Sequence, residues 1–144
     1  MAKRNVNEND EQPSTHTEGY WLFAERRTGT YPESTERSGK WLIFVPVARI
    51  DDTWRIIKSA VEIGQLGRAA KVATARDNPN APNPKERVIC VYTYDCDDRE
   101  DVFRIRQALR DLGFTQKLAY KTDDATYAGL YRVKGNTRIS LYYE

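Results

Sequence analysis

At 144 residues, with 40% apolar and 31% charged side chains and a net charge of +2, the chain has the bulk of one globular domain. Its charge is too small for a generic polyanion binder, which works by neutralising many phosphates. Residues 1–19 hold two cations against four anions, so the remainder carries +4, enough for a local basic patch but not for a basic protein.

Residues 1–18 are polar, include Pro13 and lack periodicity, so they read as a disordered tail ahead of a single domain over 19–144. The only histidine, His16, falls in that tail, where nothing would orient it or tune its pKa for catalysis. Tyr20–Glu25 is a short strand. Arg26–Gly39 is a Thr/Ser/Glu/Gly loop, and Lys40–Val47 is a long apolar strand that Pro46 ends or places at an edge.

Asp51–Gln65 is the first helix, with Asp51 or Asp52 as its cap, an apolar stripe of Trp54, Ile57, Ala60 and Val61, and an exit bracketed by Gly64 and Gly67. Two strands then flank a long antiparallel connection: K-V-A-T-A-R from Lys71, a Pro/Asn-rich middle, and V-I-C-V-Y-T-Y-D ending at Asp95. Arg76, Lys85 and Arg87 ring the mouth of this connection, and Tyr92 and Tyr94 follow it. Such a group offers charge for a phosphate and a flat face for a base, although a solvated hairpin tip has the same composition.

Asp97–Asp111 is the second helix. Asp97 and Glu100 match a capping box, Val102, Ile105, Leu109 and Leu112 form the buried face, and Arg99, Arg104, Arg106 and Arg110 form the outer one. Lys117–Thr122, Tyr127–Arg132 and Thr137–Glu144 are three further strands, separated by turns at Asp123-Asp124 and Gly135-Asn136, the last two forming a hairpin. The order β-β-α-β-β-α-β-β-β with two amphipathic helices implies an α+β fold: a curved, mostly antiparallel sheet with helices on one face and a concave, accessible face on the other.

Cys90 and Cys96 form neither a disulfide framework nor a metal spacing, and no cofactor motif is present: no Walker loop, no G-x-G-x-x-G, no G-x-S-x-G. No signal-peptide core and no membrane-length apolar run appears, so a soluble, cytoplasmic protein away from membranes is expected. Along the central strands Val72, Thr74 and Arg76 share one face, as do Cys90, Tyr92 and Tyr94, and Lys71 lies opposite Arg76. Lys71 is then either a surface residue at a strand end or a buried lysine suited to act as a base.

The run Y-W-L-F…S-G-K-W-L-I-F, the D-x-x-W of the first helix, V-A-T-A-R, V-I-C-V-Y-T-Y-D-C-D-D-R-E-D-V and R-D-L-G-F together resemble the translation initiation factor 4E fold. In detail they are most similar to the uncharacterised basophilic leukemia-expressed (Bles) family. The resemblance spans about residues 19–144. It implies that Arg76 and either Lys85 or Arg87 hold phosphates, that Tyr92 stands where cap-binding factors have a tryptophan near the methylated base, and that Trp41 and Trp54 are core. The cap sandwich of two tryptophans and a glutamate is not reproduced: the corresponding loop offers Tyr31-Pro32-Glu33, and the chain ahead of Tyr20 is a short tail. The expectation is therefore a module binding a nucleotide, RNA or other phosphorylated ligand through Arg76, Lys85, Arg87, Tyr92, Tyr31 and Glu33, without 7-methylguanosine specificity. The alternative is an enzyme acting on a phosphorylated substrate by lyase chemistry, as a phosphothreonine-lyase-like label in that group implies, with Lys71 or Lys121 as base and Tyr94 as acid. A protein partner on the helical face is a third expectation.

Overall fold

The computed structural model describes residues 11–77, 84–123 and 140–144. Its centre is the strand β2 (Gly39–Pro46), which pairs with β4 (Glu86–Thr93) along its full length and with β5 (Ala119–Thr122) on its other edge. β3 (Ala69–Ala73) pairs with β4, β1 (Trp21–Glu25) with β3, and β6 (Tyr142–Tyr143) with β5. The described strands form one antiparallel sheet of order β1-β3-β4-β2-β5-β6 within a single α+β domain. The expected strand Tyr127–Arg132, the Gly135-Asn136 turn and most of the final hairpin lie outside the described residues.

Strand alternation sends Trp41, Ile43 and Val45 of β2, Ile89 and Val91 of β4, Ala70 and Val72 of β3 and Tyr120 of β5 to one side. There they meet Trp54, Ile57 and Val61 of α1 (Ile50–Glu62) and Val102, Ile105 and Leu109 of α2 (Arg99–Asp111), and all of them are buried. Both helices therefore cover the same face, as the apolar stripes required. Trp41 pins the arrangement: its ring meets Tyr120 and Phe103 edge-on, with centroids 5.1 Å and 6.0 Å away, and its Nε1 donates to the Val102 carbonyl at 3.0 Å. Beside it, Gly39 is obligatory because a Cβ there would overlap the Tyr120 hydroxyl.

Four local expectations are corrected. The first helix starts at Ile50 rather than Asp51, and its cap, Arg49, makes no side-chain capping bond. It ends at Glu62, before Gly64, which turns the chain at φ +87°. The second helix is capped by Asp98 rather than Asp97: the Asp98 carboxylate accepts from the Asp101 backbone N–H, while Asp97 pairs with Arg37. Arg106, expected on the outer face of α2, is fully buried, stands 5.9 Å over the Trp41 ring, and donates to the carbonyls of Phe114, Gln116 and Glu144.

The fourth correction concerns the N-terminal segment. Over residues 11–18 the chain straps onto the domain instead of trailing from it. Pro13 is buried, the Ala75 backbone N–H is shared by the carbonyls of Pro13 and His16, and Ser14 gives both its N–H and its hydroxyl to Asp51 in the first turn of α1. Asp51 thus serves a neighbouring segment rather than the helix end. Deleting residues 1–18 is expected to lower the unfolding free energy by about 2 kcal/mol and Ser14→Ala by about 1 kcal/mol, a hydrogen bond to a charged group being worth ~1.5–3 kcal/mol and these being half-exposed. Urea titration of the three proteins checks this, and coincident midpoints would make the strap energetically idle.

Candidate functional site

The face of the sheet turned away from the helices collects the alternate residues of each strand. From β2 it receives Lys40, Leu42 and Phe44, from β3 Lys71, from β4 Cys90 and Tyr92, from β5 Lys121, and from β1 Trp21 and Phe23. Register sets them in rows. Lys40 stands between Tyr92 and Lys121, and one step along, Cys90 stands between Lys71 and Leu42. Three lysines from three strands therefore share the face with Cys90, Lys71 directly beside it, Lys40 diagonal to it and Lys121 beyond Lys40, and Cys90 itself is only 3% exposed.

The aromatic rings sit beneath the cations. The Lys71 ammonium lies 3.8 Å from the centre of the Trp21 ring, and that of Lys40 lies 5.8 Å from the Tyr92 ring. Lys40 also pairs with Asp123, which accepts from the Ser38 hydroxyl at 3.0 Å. Among the described residues no carboxylate pairs with Lys71 or Lys121, although Glu25 of β1 and Glu86 of β4 share the face by the same alternation. Burial pushes the Cys90 thiol above its ordinary pKa against the opposing pull of Lys71, Lys40 and Lys121, and burial likewise raises the Tyr92 phenol. Both groups thus stay neutral and packed, leaving the lysines as the charged actors. Such a surface can hold an anion and lay a planar group against an aromatic ring.

Of the residues singled out from sequence, Lys71, Tyr92 and Lys121 meet on this face. The others lie elsewhere. Arg87 is five positions from Tyr92 along one strand and so points to the opposite side. Its Nε donates to the Thr74 carbonyl and its Nη1 to those of Pro84 and Glu86. Arg76 donates to the Glu18 carbonyl and stacks 4.7 Å over Tyr20. Lys85 is exposed in the same loop, and its carbonyl accepts from the Val47 N–H. Arg87 thus ties Thr74 to Pro84 and Glu86 across the mouth of the β3–β4 connection, whose residues 78–83 lie outside the described part.

Tyr31 and Tyr94 belong to a third place, the start of α2, and Glu33 lies near Arg68 ahead of β3. Tyr31 donates to Asp101 at 2.5 Å, accepts from the Tyr94 N–H, and meets the Tyr94 ring edge-on. Glu33 pairs with Arg68. The Tyr94 hydroxyl donates to Asp98, and this bond, with burial and the neighbouring carboxylates, pushes its pKa up to about 12, unsuited to an acid that must release a proton near neutrality. Lys40 and Trp21 went unremarked in the sequence. Lys40 shares the alternation of Leu42 and Phe44, but only the register brings it beside Tyr92 and Lys121.

Asp95, Cys96 and Asp97 place two carboxylates and a thiol within 4.8 Å of one another, a group able to hold a metal ion. Arg37 already supplies the positive charge there, its Nη2 2.6 Å from Asp95 and its Nε 3.2 Å from Asp97. The hydrogen bond from Arg37, outweighing burial, holds the Asp95 carboxyl below the usual range. A depressed carboxylate stabilises the fold fully above its unfolded pKa, and that stability is lost as pH falls through the folded value. Arg37→Met should therefore move acid unfolding to higher pH, as followed by circular dichroism; an unshifted midpoint would remove Arg37 as the cause. No helix among the described residues is long and apolar enough to cross a membrane.

The family model described as basophilic leukemia-expressed protein Bles03 matches residues 32–129, more than half of the chain. The match takes in Lys40, Lys71, Tyr92 and Lys121, whereas Trp21 and Phe23 precede it.

Proposed function

From the premise that this chain belongs to the Bles03 family, we propose that it binds a phosphorylated ligand of the nucleotide class on the sheet face opposite its helices. The family name carries no chemistry, so the reading rests on one observation: Lys40, Lys71 and Lys121, from three strands, stand on one face that also presents the Tyr92 ring. Lys71 on β3 and Lys121 on β5, three strands apart, each offer an ammonium to a separate phosphate group, Lys40 is steered by Asp123 and stands beside Lys121, and Tyr92 offers its ring to the base. The antiparallel sheet backed by two helices supports reading the fold as translation initiation factor 4E-like. The phosphate role moves from Arg76, Lys85 and Arg87 to the lysines, because the Arg76 and Arg87 guanidinium groups already bond backbone carbonyls.

Lys71→Glu combined with Lys121→Glu tests the reading. Each lost charge-assisted contact is worth about 1.5–3 kcal/mol, so nucleotide affinity should fall at least a hundredfold while the far-ultraviolet spectrum holds. Binding by the native chain should weaken with salt. Equal affinities in a titration of fluorescent nucleoside phosphates into both proteins would sink the proposal.

A further inference from the structure

The cations and rings on this face do not stop where a mononucleotide would. Paired residues run across all six strands in one row: Phe23 on β1 opposite Lys71 on β3, then Cys90, Leu42, Ala119, and Tyr143 on β6. The two ends of the row are exposed aromatic rings, Phe23 at 61% and Tyr143 at 52%, on the outermost of the described strands. A cation accompanies each end: Lys71 is the cross-strand neighbour of Phe23, and the Lys117 ammonium lies 5.7 Å from the Tyr143 ring. The adjoining row repeats the mixture with Tyr92, Lys40 and Lys121. Five interstrand steps of ~4.8 Å make the row about 24 Å long. That is about seven nucleotides at the ~3.4 Å rise of a stacked strand, and fewer if it is extended.

Building on the nucleotide-class reading above, we propose that the ligand is a single-stranded polynucleotide laid across the strands, with bases on Phe23, Tyr92 and Tyr143 and phosphates on the interleaved lysines. Large exposed rings on the outermost described strands bury apolar area against bases, and the ammonium groups among them, of which Lys71 and Lys121 pair with no carboxylate among the described residues, complement a backbone with one charge per nucleotide. A duplex keeps its bases inside and offers those rings nothing. Stacking with phosphate contacts is tolerant of sequence, so RNA and DNA share the required chemistry.

Fluorescence anisotropy with labelled oligouridylates of increasing length, matching oligothymidylates and a duplex tests this on the full chain. Affinity should rise with length until about eight nucleotides and then level, and the duplex should bind more weakly than either strand. Phe23→Ala and Tyr143→Ala should each weaken the eight-nucleotide strand about tenfold and leave uridine monophosphate unchanged, stacking being the term each removes. Preference for the uridylate or the thymidylate strand tells which of the two polymers the face favours, and either result upholds the proposal. Affinity independent of length, equal binding of the duplex, or indifference to both substitutions would overturn the strand while keeping the nucleotide site. Failure of native protein to bind either the monophosphate or the strand would overturn both.

Discussion

Arg106→Met is expected to lower the unfolding free energy by about 3–5 kcal/mol. Methionine fills much of the same volume, so the loss isolates the hydrogen bonds: the guanidinium donates to the carbonyls of Phe114, Gln116 and Glu144, between 2.7 and 2.9 Å. Each buried acceptor stripped of its donor costs ~1–3 kcal/mol. An offset comes from no longer burying a charge, which pushes the Arg106 pKa down, so the estimate stays below the plain sum. These bonds tie α2 to the turn after it and to the stretch beyond β6, and the substitution should loosen that corner first. Guanidinium unfolding with amide exchange at residues 114–120 and 141–144 provides the check. A change under 1 kcal/mol would mean that the carbonyls find water instead.

Trp41→Ala should cost about 4–5 kcal/mol, the upper part of the range for emptying a large aromatic core site. Three features place it there. The ring is wholly buried, it meets Tyr120 and Phe103 edge-on, and its Nε1 donor leaves the Val102 carbonyl unpaired when removed. Trp41→Phe should recover much of the loss while still forfeiting the hydrogen bond. Against a typical total of ~5–15 kcal/mol, the alanine variant should be measurably unfolded at 37 °C. Chemical denaturation followed by circular dichroism tests this, and a loss below 2 kcal/mol would show that the core closes over the hole.

The core was legible because its signals are periodic. Trp54, Ile57 and Val61 repeat at helical spacing, and the β-branched pieces around Val72 and Ile89 are strand-like. Arg106 is equally periodic, four residues after Val102 and three before Leu109, but its charge argues for the outer face. A guanidinium is buried only where several carbonyls converge, and that convergence is tertiary. Ser14 and Asp98 show the same limit: which polar side chain serves a helix start depends on what lies beside it. The candidate face was half visible. Lys71, Tyr92 and Lys121 could be named one by one, whereas their meeting with Lys40 depends on register between strands distant in sequence, and Arg87 left the group through a strand parity that counting could have exposed.

The strand order has a temporal side. β1 and β2 leave the ribosome before β3 and β4, yet they are not neighbours in the sheet; β3 and β4 stand between them. β1 waits for β3, and β2, with its apolar run from Trp41 to Val45, waits for β4, which begins only at Glu86. Nonlocal pairing of this kind folds slowly, and until it closes the nascent chain carries an unpaired hydrophobic strand. The most vulnerable moment in the life of this protein is therefore the interval of synthesis between Pro46 and Thr93, when its central strand exists and its partner does not.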